Sequence, residues 1–291
     1  MVAIAAPQPP PLRTASRPTS PVSNPPTQSA PARRYAFGQI EPAKALRVGL
    51  FGPGGIGKTS LACRAPGPVA VFDFDHSLPV LKPTLAGLDV RPVEGVESWS
   101  DLREALHDKS LWQGIRTIVI DSVTRAEQLA IAYTLANVKN EKNNNVTSIE
   151  AYGFGKGYRH VFETFLALLG DLDQHVREGR NAVLIMHECT ATVPNPDGED
   201  YLRWEPRLQG QNNGNIRLAC KEWLDHLLCI RFDLNVTTED KASKKAGKAS
   251  GNGTRTIYPV ESPVHMAKTR SLTDTVEFTE GSDELWRRLF L

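Results

Sequence analysis

Cysteine is scarce in this chain of 291 residues. Cys63, Cys189, Cys220 and Cys229 show no CxxC spacing. That argues against a disulfide scaffold or a zinc ribbon and fits a reducing cytosol. No uninterrupted apolar run comes near the roughly 18 residues of a membrane span, so no transmembrane helix is expected. Net charge is also lacking. Lys plus Arg total 34 against 33 Asp plus Glu, which excludes a histone-like protein and confines any nucleic-acid contact to a local patch. There is no internal repeat, and Met1–Ala6 is too short for the apolar region of a secretory signal. Acids are absent from the first 40 residues, which carry four arginines. A mitochondrial transit peptide has that bias, but 9 of the 21 prolines fall within residues 1–35 and oppose its amphipathic helix. The same stretch cannot bury enough apolar surface to offset the entropy of ordering. Residues 1–44 therefore read as a disordered Pro/Ala/Ser-rich tail and 45–291 as one folded domain.

What is present is a core-forming composition, 40% hydrophobic, in which apolar runs alternate with helical patterns. This predicts a mostly parallel central sheet flanked by helices, an α/β fold. Strands are predicted at Leu46–Phe51, Val69–Phe74, Thr117–Ile120, Ala182–Met186 and Leu228–Phe232. Helices are predicted from Lys58, over Trp99–His107 with Ser98 or Ser100 as cap, and over Ser122–Val138, Tyr158–Val176, Asn215–Leu227 and Asp283–Phe290. Val161, Phe162, Phe165, Leu168, Leu169, Leu172 and Val176 share one face of the long helix. Thr256–Val260, Val264–Ala267 and Thr275–Phe278 read as later, antiparallel strands at the C-terminal edge. Polar stretches at 139–147 and 237–254 read as loops, the second mobile and Lys-rich. Tyr152–Gly157 contains GxGxG without a preceding strand, so it reads as a lead-in to the long helix rather than a dinucleotide site.

Residues 52–59 read Gly-Pro-Gly-Gly-Ile-Gly-Lys-Thr, a full GxxxxGK[ST] pattern between an apolar strand and a helix. Gly52, Gly54, Gly55 and Gly57, with Pro53 and Ile56 between them, let successive backbone N–H groups cradle phosphate oxygens. The following helix, with Ser60, presents its N-terminus to the same anion. Lys58 reaches the β- and γ-phosphates and the Thr59 hydroxyl coordinates Mg²⁺, so ATP and Mg²⁺ are the expected cofactors. Asp121 closes the run Ile118-Val119-Ile120 at a strand end, where ligands bind in open sheets. It is the candidate second holder of Mg²⁺, although a capping role before the next helix also fits. Asp73 and Asp75 alternate at the end of the second strand and so share a face. Asp75 is the candidate water-orienting carboxylate, with a pair of turn acids as the plainer reading. His187 and Glu188, after the fourth strand, are candidate γ-phosphate sensors, and Cys189–Gln211 is the loop they would move.

Together these residues resemble the RecA-like P-loop ATPases. Within them they resemble the phage-type AAA group of single-strand annealing and recombination proteins, through FDFDHSL, AYGFGKGY, LIMHE, WEPRLQG and MAKTR in that order, from about Ala45 to Phe278. The resemblance implies an ATPase acting on single-stranded DNA, assembled as a homo-oligomeric ring or filament. It also implies a cytoplasmic site in a bacterial host, a single-strand-binding protein as a further partner, and no membrane. In RecA-like proteins the carboxylate after the second strand is a Glu; here it is Asp75, one methylene shorter. The residue after the fourth strand is commonly an amide; here it is His187 or Glu188. Lys268 and Arg270 resemble the cation pair that reaches a neighbouring subunit's nucleotide; a solvated strand edge is the plainer alternative. Arg203, Trp204, Arg207 and Arg217 combine cations with an aromatic, as single-strand binding requires, and the resemblance places them on the DNA side. Trp204 also fits a core position. Lys241, Lys244, Lys245 and Lys248 and the tail arginines would add phosphate contacts. Two alternatives stay open: a nucleotide-switched annealing or loader protein with little hydrolysis, and a P-loop small-molecule kinase.

Overall fold

The computed structural model describes residues 37–211, 213–237, 248–251 and 253–290. The chain divides into Met1–Pro42 and Ala43–Leu291. Of the first unit, residues 37–42 are described and carry no helix or strand. Of the tail expected over 1–44, residues 1–36 lie outside the described residues, as do Lys241, Lys244 and Lys245.

The second unit runs β1 Arg47–Phe51, α1 Lys58–Ala62, β2 Val69–Asp73, α2 Leu78–Leu81, β3 Val90–Pro92, α3 Trp99–His107, β4 Thr117–Asp121, α4 Val123–Asn137, α5 Lys156–Arg177 and β5 Asn181–Met186. It continues β6 Glu188–Val193, β7 Tyr201–Pro206, β8 Gly210–Gln211, β9 Gly214–Asn215, α6 Ile216–Trp223, β10 His226–Phe232, β11 Asn235–Thr237, β12 Lys248–Ser250, β13 Arg255–Tyr258, β14 Val276–Glu277 and α7 Glu284–Phe290. Eight strands form one sheet in the order β14-β13-β10-β1-β5-β4-β2-β3. Its members from β10 to β3 are parallel, and β13 and β14 are antiparallel, as the sequence predicts.

The alternation of side chains along a strand explains the three layers. In β5, Ala182, Leu184 and Met186 enter the apolar cluster under α3, α4, α5 and α6, while Val183 and Ile185 enter the cluster under α1 and α7. β4 divides in the same way, Ile118 and Ile120 against Val119. Val161, Phe165, Leu168, Leu169 and Leu172 of α5 are buried, and Phe162 and Val176 lie at the margin of the same face. Ser98 caps α3 in a reciprocal box with Asp101. No helix among the described residues is long and apolar enough to cross a membrane.

Two expectations are corrected. Cys189–Gln211 is not a loop: most of it is the β6–β7 hairpin, paired in register from Glu188↔Pro206 to Val193↔Tyr201. β6 alternates with Thr190 and Thr192 exposed, whereas β7 inverts the ordinary pattern, with Leu202 exposed and Glu205 buried. Val264–Ala267 makes only isolated bridges, Trp204↔His265 beside it and Leu227↔Lys268 just beyond. The helix expected from Lys58 is present as α1, five residues long. Within the stretch read as a loop at 237–254, Lys248–Ser250 form β12, which pairs with β11, and residues 238–247 lie outside the described residues.

Candidate active site

β1, β4 and β5 deliver their C-terminal ends to one edge of the sheet, where a cavity of about 550 Å³ opens. Gly54, Gly55, Gly57, Lys58, Thr59 and Ser60 line one side. Asp75, His76, Ser77, Asp121 and His187 line another, with Arg64, Arg255, Phe278, Glu280 and Gly281 completing the wall.

The glycines of the loop have distinct tasks. At Gly52 a Cβ would stand 2.3 Å from the carbonyl oxygen of Ile230, so the loop leaves β1 only because no side chain is there. Gly55 and Gly57 have φ of 75° and 99°, a region that favours glycine. A Cβ at Gly54 or Gly55 would meet nothing within 4 Å, so these residues border open space. Ile56 is buried in the core beneath α1 and anchors the loop. Of the residues expected to bind phosphate, Gly52, Pro53 and Ile56 therefore support the cradle, and the rest face the cavity. Because α1 is so short, the loop amides and Lys58 offer an anion more than its helix dipole does.

Lys58 is buried, and its Nζ donates to the carbonyls of Gly52 (2.9 Å) and Pro53 (2.8 Å). Burial holds its pKa below the usual lysine range, against the pull of the Asp121, Glu188 and Asp75 carboxylates. The Thr59 hydroxyl donates to Asp121 Oδ2 at 2.6 Å, and the Ser77 hydroxyl lies 3.1 Å from the same oxygen. Burial pushes the Asp121 carboxyl above the ordinary aspartate range, a cost that a bound cation removes. One carboxylate and one hydroxyl, hard oxygens at the lip of a phosphate cradle, suit Mg²⁺, which keeps several waters and takes its other ligands from phosphates. The residues present fit Mg²⁺ and a nucleoside triphosphate.

Asp75 and His187, predicted separately, come together. His187 Nε2 lies 3.2 Å from Asp75 Oδ2, and Arg125 approaches the other carboxylate oxygen at 3.9 Å. The hydrogen bond to His187 is the main reason that the Asp75 carboxyl titrates below its ordinary value; Ser122 and Arg125 assist and partial burial opposes. Asp73 does not share this position, which corrects the expectation that both carboxylates look into the site. β2 ends at Asp73, whose carboxylate accepts the backbone N–H groups of Ser77 (2.9 Å) and Leu78 (2.8 Å) and so caps α2. His187 and Glu188 part company as well. His187 lines the cavity, while Glu188 pairs with Arg231 at 2.7 Å.

Lys268 and Arg270 lie at the opposite end of the sheet from this chain's own phosphate loop, beside the start of β10. Lys268 Nζ caps the carbonyls of Lys221 (3.0 Å) and Glu222 (2.7 Å), and Arg270 lies 3.2 Å from Asp225. Arg203 pairs with Glu205 and Glu261, both at 2.6 Å, and Arg217 also pairs with Glu205. Trp204 packs on the core with Arg231 4.0 Å over its ring. Arg207 is exposed and makes no side-chain ion pair among the described residues, while its backbone N–H donates to the His187 carbonyl at 2.8 Å.

Ser77, Arg125, Arg255 and Phe278 escaped the sequence reading. Ser77 stands at the start of α2 without a side-chain cap bond, and no local pattern assigns its hydroxyl to Asp121. Arg255 has no local signal either, since it meets the loop across 199 positions of sequence.

No curated protein matches the chain. A profile of the AAA domain family matches residues 44–271, which include the phosphate loop, Asp121 and the Asp75–His187 pair. With most of its length in that match, and with a nucleotide-binding geometry at the edge of a largely parallel sheet, the chain belongs to the AAA domain family of nucleotide-binding ATPases.

Proposed function

We propose that the protein hydrolyses Mg-ATP and acts on single-stranded DNA in phage-type recombination or strand annealing. The observation that carries the ATPase reading is the 2.6 Å contact of Thr59 with Asp121, with the Asp75–His187 pair in the same cavity. Bound magnesium and triphosphate supply the electrophilic phosphorus and the charge neutralisation around it. The protein's own residues do the rest. The loop amides and Lys58 grip the phosphates. Asp121 and Thr59 hold the cation. Asp75, kept ionised by His187, orients the attacking water.

Support for the DNA reading is narrower than four free side chains. Arg203 and Arg217 are engaged by Glu205, and Trp204 is covered by Arg231. Arg207 remains exposed, and one backbone hydrogen bond ties it to His187 at the cavity. That bond is a short route by which nucleotide state would alter the grip on DNA. Lys268 and Arg270 stand away from this chain's own cavity, which suits a role at a neighbouring subunit's nucleotide in a ring or filament. Phosphate release with and without single-stranded DNA tests the proposal. DNA stimulation is expected, with loss of both activities in Lys58→Ala. DNA-indifferent transfer to a small acceptor would instead favour a kinase.

One observation favours the nucleotide-switch alternative. Asp75 already spends an oxygen on His187, which limits its hold on water. In that reading Asp75→Asn leaves annealing intact while Lys58→Ala abolishes its dependence on nucleotide.

A further inference from the structure

Arg255 opens β13, where its backbone is held from two sides: it pairs with Phe232 of β10, and its carbonyl accepts the Phe278 N–H at 2.7 Å. From this position the side chain crosses to the phosphate loop. Its Nη1 donates to the Ile56 carbonyl at 3.0 Å, and the guanidinium lies 4.6 Å over the Phe278 ring. The fit is close. A Cβ on Gly57 would stand 3.0 Å from the Phe278 ring and 3.1 Å from Arg255 Nη1.

The Ile56 carbonyl and the Gly57 N–H belong to one peptide unit, which is trans. In a trans peptide the two groups point in opposite directions. Pinning the carbonyl therefore fixes the aim of the amide that follows it. Arg255 also lines the cavity, so its positive charge lies beside the cradle.

We propose that Arg255 is a positioning residue for nucleotide: it pins the Ile56 carbonyl from β13 and so pre-sets the Gly57 amide for the phosphates. The proposal rests on the nucleotide-binding reading and adds to it a residue outside the loop. It also makes the edge strands part of the nucleotide site, since Arg255 follows the β11–β12 pair by only a few residues.

The test compares the parent with Arg255→Ala and Arg255→Lys. It uses Mg²⁺ with a fluorescent ADP analogue for affinity, and backbone hydrogen exchange of residues 52–60 in nucleotide-free protein. Without the pin the nucleotide-free loop populates other conformations, and Kd in Arg255→Ala rises by about 10- to 100-fold as the competent fraction falls. Exchange of the loop accelerates, KM rises more than kcat falls, and ethylguanidinium restores part of the affinity. Arg255→Lys, which keeps the charge but loses the planar fork, falls between. An affinity within twofold of the parent together with unchanged loop exchange overturns the proposal. So does a fall in kcat at constant Kd, which would make Arg255 a catalytic group. If Arg255→Ala does not fold, the same criteria apply to Arg255→Lys. A parent that binds no nucleotide overturns this proposal together with the nucleotide-binding reading, whereas a binding parent with an indifferent Arg255 overturns the proposal alone.

Discussion

Asp121 carries two opposed demands. As the proposed holder of a cation its carboxylate has to be ionised, yet burial raises its pKa against the hydrogen bonds from Thr59 and Ser77, which lower it. The sign follows directly. An acid whose folded pKa is raised binds its proton more tightly in the folded chain, so nucleotide-free stability increases as pH falls through that pKa. Asp121→Asn removes the buried charge and keeps an oxygen to accept both hydroxyls. The nucleotide-free variant is therefore expected to melt above the parent at neutral pH, while its Mg-dependent turnover falls on the order of 100-fold or more. Calorimetry beside a phosphate-release assay checks both. A variant that melts lower than the parent contradicts the account of Asp121 as a strained ligand. Lys58→Ala should raise the nucleotide Kd by about 10- to 100-fold, because it removes a charge-assisted donor that the two loop carbonyls hold in place. Isothermal titration measures it.

Helix α4 ties the cavity to the hairpin side at two points. Thr124 accepts the His187 N–H at 3.1 Å, and Glu127 accepts the Gln209 N–H at 2.6 Å. Glu127 is buried, and burial pushes its carboxyl up to about 7 despite the Gln209 bond and the nearby Arg217 and Arg207. Between about pH 4.5 and 7 the unfolded chain releases this proton while the folded chain keeps it, so stability falls across that window and stays lower above it. The loss is on the order of 3 kcal/mol. Glu127→Gln keeps the acceptor oxygen and removes the charge. It should raise Tm by several degrees at pH 8 and converge with the parent near pH 5. A pH-independent difference would show that the side chain acts through packing alone.

At the scale of the whole molecule, nucleotide is expected to bind only the folded chain, because the cradle, Asp121 and Arg255 converge from β1, β4 and β13. Ligand at 100 times its Kd then stabilises by about 2.7 kcal/mol. For a domain of this size that is a rise in Tm of roughly 5–10 °C. Thermal melting with Mg-ATP should show it, and EDTA should remove most of it. Absence of any shift at saturating nucleotide contradicts the site.

The central strands and long helices were legible in the residues alone, because a buried parallel strand must be continuously apolar and a helix over a sheet must repeat its apolar face every three to four positions. The phosphate loop was legible for a similar reason: its chemistry is local, and glycine spacing writes it into eight consecutive residues. Asp121 showed itself as the polar end of an apolar run. What folding alone decided is which distant groups meet. Asp73 and Asp75 looked equivalent by alternation, but β2 ended between them and gave one to a helix cap and the other to His187. The local sequence assigns no partners to Arg203, Trp204 and Arg217, but the hairpin brings Glu205 to the two arginines and β10 brings Arg231 over Trp204. Arg255 reached Ile56 from nearly 200 positions away. A charged side chain takes its role from the charges beside it, and pairings between strands far apart in the chain leave no mark on the local pattern of either.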